Sequence, residues 1–178
     1  MFEDYIQDAY SFFSMAEERR QSGNEREAKM FYRASVFCAA NSLEAFINFV
    51  GDTFRQGNTL DKNEIAFLND KVLEISTASA KIEEKTKYNS VDGKIKFILK
   101  RFQVPIDVSK ASQWSNFLEF KVLRDGLIHP KFTSDEHSLE DYKKSIRNGL
   151  NANIDIMNAI SNQLFSKSLR KSLLDLKI

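Results

Sequence analysis

Arg124 and His129 lie five positions apart, at the end of a predicted helix and directly before Pro130. The guanidinium group of arginine is always charged, and its planar set of donors fits phosphate oxygens. The imidazole ring of histidine exchanges its proton near neutral pH. Together, the two side chains could bind a phosphodiester and move the proton that its cleavage requires, without a metal.

The local sequence bears on whether these two side chains can meet. On a regular helix they would point roughly 140° apart. Pro130 disfavours the helical conformation at His129, and Gly126 loosens the last turn. We therefore expect the imidazole to lie on a frayed helix end, from which it can turn back towards the arginine.

Asp125 is the residue that we expect to orient His129. It lies four residues before the histidine, close enough for its carboxylate to hold the ring and stabilise its charged form. The negative end of the helix dipole favours the same charged form. An alternative interpretation is that Arg124 and His129 only bind free carbonyl groups at a helix C-terminus, as cations often do there. The spacing alone fits both interpretations.

The composition predicts the long helices that must position these residues. The chain has 178 residues, of which 42% are hydrophobic, and it contains only 6 glycines and 2 prolines. So few helix breakers favour an all-α domain. Capping residues and apolar residues at helical spacing predict helices at about 2–20, 25–54, 61–75, 94–101, 109–128 and 138–164.

We expect these helices to form a single domain over residues 1–178, folded as an antiparallel bundle of five or more helices. The expected core covers about 2–165, and 166–178 form a C-terminal tail. A polar break is expected at 76–79, and no strand pattern competes with the helices.

Charge and cysteine content narrow the class of protein. The net charge of +1 excludes an obviously basic nucleic-acid binder but allows a local basic surface. The stretch 81–101 has seven cations and three acids, which could guide an RNA backbone or simply form a solvated face. No apolar run reaches the length of a membrane span, and the N-terminus is acidic, unlike a signal peptide. The single cysteine, Cys38, suits a reducing cytoplasm and reads as a core residue.

Two segments resemble the HEPN superfamily (higher eukaryote and prokaryote nucleotide-binding domains). FLEFKVLRDGLIHPKF, residues 117–132, is similar to the family motif, an arginine, usually a polar residue, and then a histidine at the end of a helix. Arg124, Asp125 and His129 take these places, although asparagine is the commoner second residue. ASVFCAANSLEAFINFV, residues 34–50, resembles the alanine-rich helix that packs against the motif. The resemblance covers roughly 5–165.

The resemblance implies a homodimer whose two motifs face one cleft, and no cofactor or metal. In catalytic members, such a dimer is a metal-independent endoribonuclease. His129 would assist attack of the ribose 2′-hydroxyl on the adjacent phosphate, leaving a 2′,3′-cyclic phosphate, and Arg124 would support the transition state. The substrate would be RNA, because DNA lacks that hydroxyl. These domains serve as toxins, antiviral effectors or RNA-processing enzymes, so the resemblance also implies an antitoxin or another protein as a partner to look for.

Two other interpretations stay open at this point. The first is a non-catalytic HEPN domain that binds RNA or a protein, which fits the modest net charge and Asp125. The second is a structural helical domain in which the motif is a helix cap. A buried intrachain ion pair of Arg124, with His129 facing away from any cleft, would decide for the cap.

Further candidates lie outside the motif. Asn41 and Glu44 lie on the polar side of the second helix and could hold Arg124, or could form a solvated or dimer-rim face. Lys121, one turn before Arg124, could extend a phosphate-attracting surface or be a plain surface lysine. His137 lies in an acidic loop and has no partner at metal-ligand spacing, so we expect no metal there.

Overall fold

The computed structural model describes residues 1–55, 57, 59–76, 81–129 and 135–178. Seven helices and one two-stranded hairpin make up the described part, which confirms a mostly α-helical fold. In chain order, the elements are α1 Phe2–Gln21, α2 Glu25–Arg55, α3 Lys62–Leu68, β1 Lys71–Ser76, β2 Lys81–Thr86, α4 Val91–Arg101, α5 Ser112–Ile128, α6 Leu139–Phe165 and α7 Lys171–Leu174. Pro130 and residues 77–79 of the expected polar break lie outside the described residues.

The core lies between α1, α2, α5 and α6. Three residues join α1 to α2, and Gly23 in this turn has φ +79°, a left-handed conformation that glycine adopts without strain. The long apolar side of α2 is buried against α1 and α6, and its largest fully buried residues are Tyr32, Leu43, Phe46 and Ile47. Each aliphatic or aromatic side chain buried in this way contributes about 1.5–3 kcal/mol relative to an exposed one.

Helix α2 also has the length and apolar composition of a membrane span, the one such helix among the described residues. Half of its most apolar window is buried inside the fold. We therefore interpret α2 as the central helix of the bundle, because its apolar side already has protein partners.

Gly149 in α6 determines how closely α5 can approach. A Cβ atom at this position would lie 2.2 Å from the ring of Phe120, far inside van der Waals contact. The missing side chain therefore lets the buried Phe120 lie directly on the α6 backbone. This contact determines the distance between α5 and α6, and therefore the position of the motif residues further along α5.

The hairpin corrects the expectation that the chain has no strands. The third helix was expected to run to about 75, but it ends at Leu68, and Asp70 has φ +56°. A left-handed residue stops a helix, since its carbonyl and side chain no longer follow the helical path. β1 then pairs antiparallel with β2, with Ile75 opposite Ile82. This pairing supplies the hydrogen bonds that a longer α3 would have made.

The expected helix caps are present, but the last turn of α5, which was expected to be loosened by Gly126, is regular as far as Ile128. Ser138 and Asp141 form the capping box that opens α6, and Asp61 and Glu64 form another at the start of α3. α5 ends at Ile128, with His129 as its C-cap. The tail packs on α6, because the side-chain amide of Asn151 donates to the carbonyl of Ile178 and accepts from its backbone N–H.

Candidate functional site

A small pocket opens between α2, α5, α6 and the first turn of α4. Its volume is about 20 Å³, which is room for one group the size of a water molecule. Three of the expected site residues line it, namely Glu44, Lys121 and Arg124, together with the buried amide of Asn153. The remaining walls are formed by Ala40, Leu43, Val91, Phe117 and Phe120. The pocket is therefore lined by two cations, one acid, one amide and five apolar residues.

Arg124 points its side chain into the protein more than into solvent. Its side chain is 25% exposed, and its Nε lies 3.2 Å from Oδ1 of Asp125. The geometry of this ion pair is not that of a hydrogen bond, and the Nε–H is buried with no acceptor among the described residues. The charge of Arg124 is thus partly balanced inside the chain, while one of its donors is left unused.

Asp125 binds the two cations of the pocket rather than the histidine. Its Oδ2 accepts a hydrogen bond from Nζ of Lys121 at 3.2 Å. Nζ of Lys121 also lies 3.7 Å from Oδ1 of Asp92, at the first turn of α4. The expected hydrogen bond between the Asp125 carboxylate and the His129 ring is not present, because that carboxylate faces Lys121 and Arg124 instead.

His129 lies at the exposed end of α5. Its backbone N–H donates to the carbonyl of Asp125 at 2.9 Å, and its φ and ψ of −121° and 65° end the helix. The imidazole has no hydrogen bond or ion pair with any residue in the described part of the chain, and His129 does not line the pocket of Arg124. One chain therefore does not bring the two motif side chains into the same pocket.

The expected support for Arg124 from α2 is not made. Glu44 lies at the rim of the pocket but forms no ion pair or hydrogen bond with Arg124, and both residues belong to the described part of the chain. Asn41 is exposed and does not line the pocket. The polar side of α2 is therefore an exposed face of the single chain next to the pocket, and it does not hold the guanidinium.

The basic stretch 81–101 is not a continuous free surface. Lys94 is only 3% exposed, and its Nζ pairs with Oδ2 of Asp70 at 2.7 Å. Nζ of Lys85 pairs with Glu74 at 2.6 Å, and Nε of Arg101 pairs with Glu64 at 2.7 Å. Three of its seven cations are thus neutralised within the chain, which weakens the case for a phosphate-guiding strip.

A second polar pocket lies on the other side of Phe120. It has a volume of about 160 Å³ and is lined mainly by polar residues of α5 and α6, namely Asn116, Glu119, Asp141, Lys144, Ser145 and Asn148. None of the site residues that were predicted from the sequence lines this second pocket. Its charges are mixed in sign, so it points to no particular ligand.

Asp135 organises a dense polar cluster that the sequence did not indicate. Its Oδ2 accepts hydrogen bonds from Nη2 of Arg33 at 2.6 Å and from the hydroxyl of Tyr142 at 2.5 Å, and Nζ of Lys29 lies 3.4 Å away. Burial raises the pKa of Asp135, but hydrogen bonds from Tyr142, Arg33 and His137 outweigh it and hold the pKa well below its ordinary value. The cluster ties the start of α6 to α2.

Tyr142 and Tyr32 stack within the same region, with ring centroids 6.0 Å apart. Burial and the hydrogen bond to Asp135 raise the pKa of Tyr142, and burial and the hydrogen bond to Glu17 raise that of Tyr32. Nδ1 of His137 lies 2.9 Å from Oδ1 of Asp135, so this histidine takes part in the cluster. Arg33 and Asp135 are 102 residues apart in the sequence, so no local spacing could reveal this pair.

Cys38 is a free, partly buried cysteine. Burial raises the pKa of the Cys38 thiol, which disfavours the reactive thiolate. No group of three or more metal-binding side chains forms among the described residues.

Comparison of the chain with models of protein families, with curated proteins and with solved structures gives no match, so the resemblance of residues 34–50 and 117–132 to HEPN domains rests on those residues alone.

Proposed function

We propose that this protein is a metal-independent endoribonuclease of HEPN type that acts as a homodimer. One observation carries the proposal: the last part of α5 presents two pocket cations, Lys121 and Arg124, and the exposed His129 caps the same helix five residues after Arg124. Two cations beside a proton-transferring ring are what cleavage of a phosphodiester needs when no metal is used. A toxin, defence or RNA-processing role and a cytoplasmic location remain predictions.

The roles divide according to chemistry. The guanidinium of Arg124, assisted by Lys121, neutralises the charge that builds up on the phosphate in the transition state. His129 removes the proton from the ribose 2′-hydroxyl, whose oxygen attacks the phosphorus. The bond from phosphorus to the 5′-oxygen breaks, a second imidazolium protonates that oxygen, and the products are a 2′,3′-cyclic phosphate and a 5′-hydroxyl.

A second copy of the chain supplies what one copy lacks in this proposal. His129 lies outside the Arg124 pocket of its own chain, and catalysis needs the acid, the base and the cations at one phosphate. Two motifs that face each other in a dimer cleft provide two histidines and two cation pairs. Asp125 holds Lys121 and Arg124 in the free protein, and we propose that the phosphate displaces it.

The test is cleavage of a fluorescent RNA by the purified protein in EDTA. We expect His129→Ala and Arg124→Ala to abolish cleavage while the fold survives, as a cooperative thermal unfolding transition would show. His137→Ala is the matched control, because it removes the other histidine, which belongs to the Asp135 cluster, and it should keep the activity. Cleavage that survives in both motif variants would refute the assignment of the site.

The alternative is a non-catalytic HEPN module that binds RNA or a protein partner. The ion pairs of Asp125 with both pocket cations favour a module that binds a protein rather than RNA, since they occupy the groups that a phosphate would use. The burial of Arg124 and the position of His129 outside its pocket also fit a plain helix cap. Binding of RNA without any cleavage would select the module, and neither binding nor cleavage would select the cap.

A further inference from the structure

Asn153 is a buried polar residue that reaches the Arg124 pocket from α6. It is 1% exposed, and its Nδ2 donates to the carbonyl of Ala39 in α2 at 2.8 Å. Its Oδ1 is buried and has no hydrogen-bond partner among the described residues. The bond to Ala39 fixes the amide orientation, because the reverse orientation would set two carbonyl oxygens against each other.

An unpaired buried acceptor is costly, by about 1–3 kcal/mol. An apolar residue of the same size would avoid this cost, so the amide at this position needs an explanation. Arg124 lines the same pocket and has the opposite kind of unpaired group, a buried Nε–H donor with no acceptor among the described residues. The two residues that carry the unused donor and the unused acceptor thus line one space of about 20 Å³.

We propose that Asn153 is a positioning residue for Arg124, bridging its Oδ1 to the Nε–H of the guanidinium through one water molecule. The pocket has the volume for one water, and a water that donates to Oδ1 and accepts from Nε satisfies both groups. This bridge fixes the guanidinium plane and leaves the two terminal nitrogens free for phosphate oxygens.

The value of this arrangement for RNA cleavage rests on the proposed function, but the bridge itself does not. We therefore test it first on the free protein, by measuring hydrogen exchange of the Arg124 Nε–H with NMR. The resonance is assigned by its loss in Arg124→Lys. Its exchange should be at least about tenfold slower than that of the exposed Arg26, as expected for one hydrogen bond.

Two variants separate positioning from simple packing. Asn153→Leu and Asn153→Asp both lose the donor to the Ala39 carbonyl, but only Asn153→Asp keeps an acceptor at the pocket. Ser42→Ala is the matched control, since the buried Ser42 hydroxyl donates to the same carbonyl at 2.7 Å and does not line the pocket. We expect faster Nε–H exchange in Asn153→Leu and slow exchange in Asn153→Asp and Ser42→Ala.

The outcomes are distinct. Unchanged exchange in Asn153→Leu, or equal changes in all three variants, would overturn the proposal. If Asn153→Leu does not fold, fast exchange in the wild-type protein or in Asn153→Asp would overturn it. Where wild-type protein cleaves RNA, Asn153→Leu should lower kcat about tenfold with little change in KM. A bridge that is present in a protein without cleavage would support Asn153 as the positioning residue and reject the ribonuclease.

Discussion

Replacement of Gly149 by alanine tests how α5, which carries the motif, is held against α6. In a helix, alanine is more favourable than glycine by about 1 kcal/mol, so local preference predicts that Gly149→Ala stabilises the protein. The packing predicts the opposite. The new methyl group would lie 2.2 Å and 2.3 Å from two ring carbons of Phe120 and 2.6 Å from its Cβ, and that side chain is itself buried.

The size of the effect follows from these contacts. The clash includes the Cβ of Phe120, so a rotation of the ring cannot relieve it, and α5 must move away. Overpacking of this kind costs about 1–3 kcal/mol, and we take about 3 because the overlap exceeds 1 Å. After the helix preference of about 1 kcal/mol is subtracted, the net loss is about 2 kcal/mol. For a chain of this length, Tm should fall by about 4–8 °C.

Gly126→Ala is the matched control, because this exposed glycine lies in α5 and an added Cβ meets no atom within 4 Å. It should raise Tm by about 2–4 °C if helix preference is the main effect. Thermal and urea unfolding followed by circular dichroism measure both variants. A Gly149→Ala protein as stable as wild type would show that α5 does not pack on α6 in the way described, and the pocket geometry would then also be wrong.

Tyr142→Phe removes the hydroxyl that donates to Asp135 and should cost about 1.5–3 kcal/mol in urea unfolding, whereas Tyr88→Phe, at an 88% exposed side chain, should cost almost nothing. Since the folded-state pKa of Asp135 lies below its ordinary 3.8, its carboxylate stabilises the fold above about pH 4, and this contribution is lost as the pH falls further. Asp135→Asn should therefore be less stable than wild type by at least about 2 kcal/mol at pH 7, and the difference should shrink in acid unfolding below pH 4. The raised pKa of Tyr142 predicts loss of stability above about pH 10, because the folded state resists its ionisation, and Tyr142→Phe should remove part of this alkaline loss. If RNA binds at the pocket, Lys121→Gln should weaken binding and lower the slope of log affinity against log salt by about 1 in fluorescence anisotropy, and an unchanged slope would remove Lys121 from the interface.

Local signals predicted the helices well where a cap and an apolar stripe coincide. The start of α6 after its N-cap Ser138 and the end of α5 before its C-cap His129 follow from side chains within four residues of each other. The same kind of signal failed after Leu68. Val72 and Ile75 continue the helical spacing of α3, but the left-handed Asp70 and the pairing with β2 decide that they belong to a strand.

The site was predictable only in part, for a related reason. Glu44, Lys121 and Arg124 were each singled out, and they do line one pocket. Asn153 was missed because nothing in its own neighbourhood distinguishes it from other polar residues of a helix. Its significance depends on the carbonyl of Ala39, 114 residues away, and on the approach of α5. Contacts of this kind arise from the tertiary packing of helices and produce no pattern of residue spacing in the sequence.

The most direct test of the proposed ribonuclease is the chemical identity of the RNA ends that the purified protein produces in EDTA. Mass spectrometry of a short synthetic RNA should find a 2′,3′-cyclic phosphate on one fragment and a 5′-hydroxyl on the other. A matched substrate with one 2′-deoxyribose should stay intact at that position, because the nucleophile is missing. Intact RNA with the wild-type protein, or products that also form with His129→Ala, would contradict the proposal.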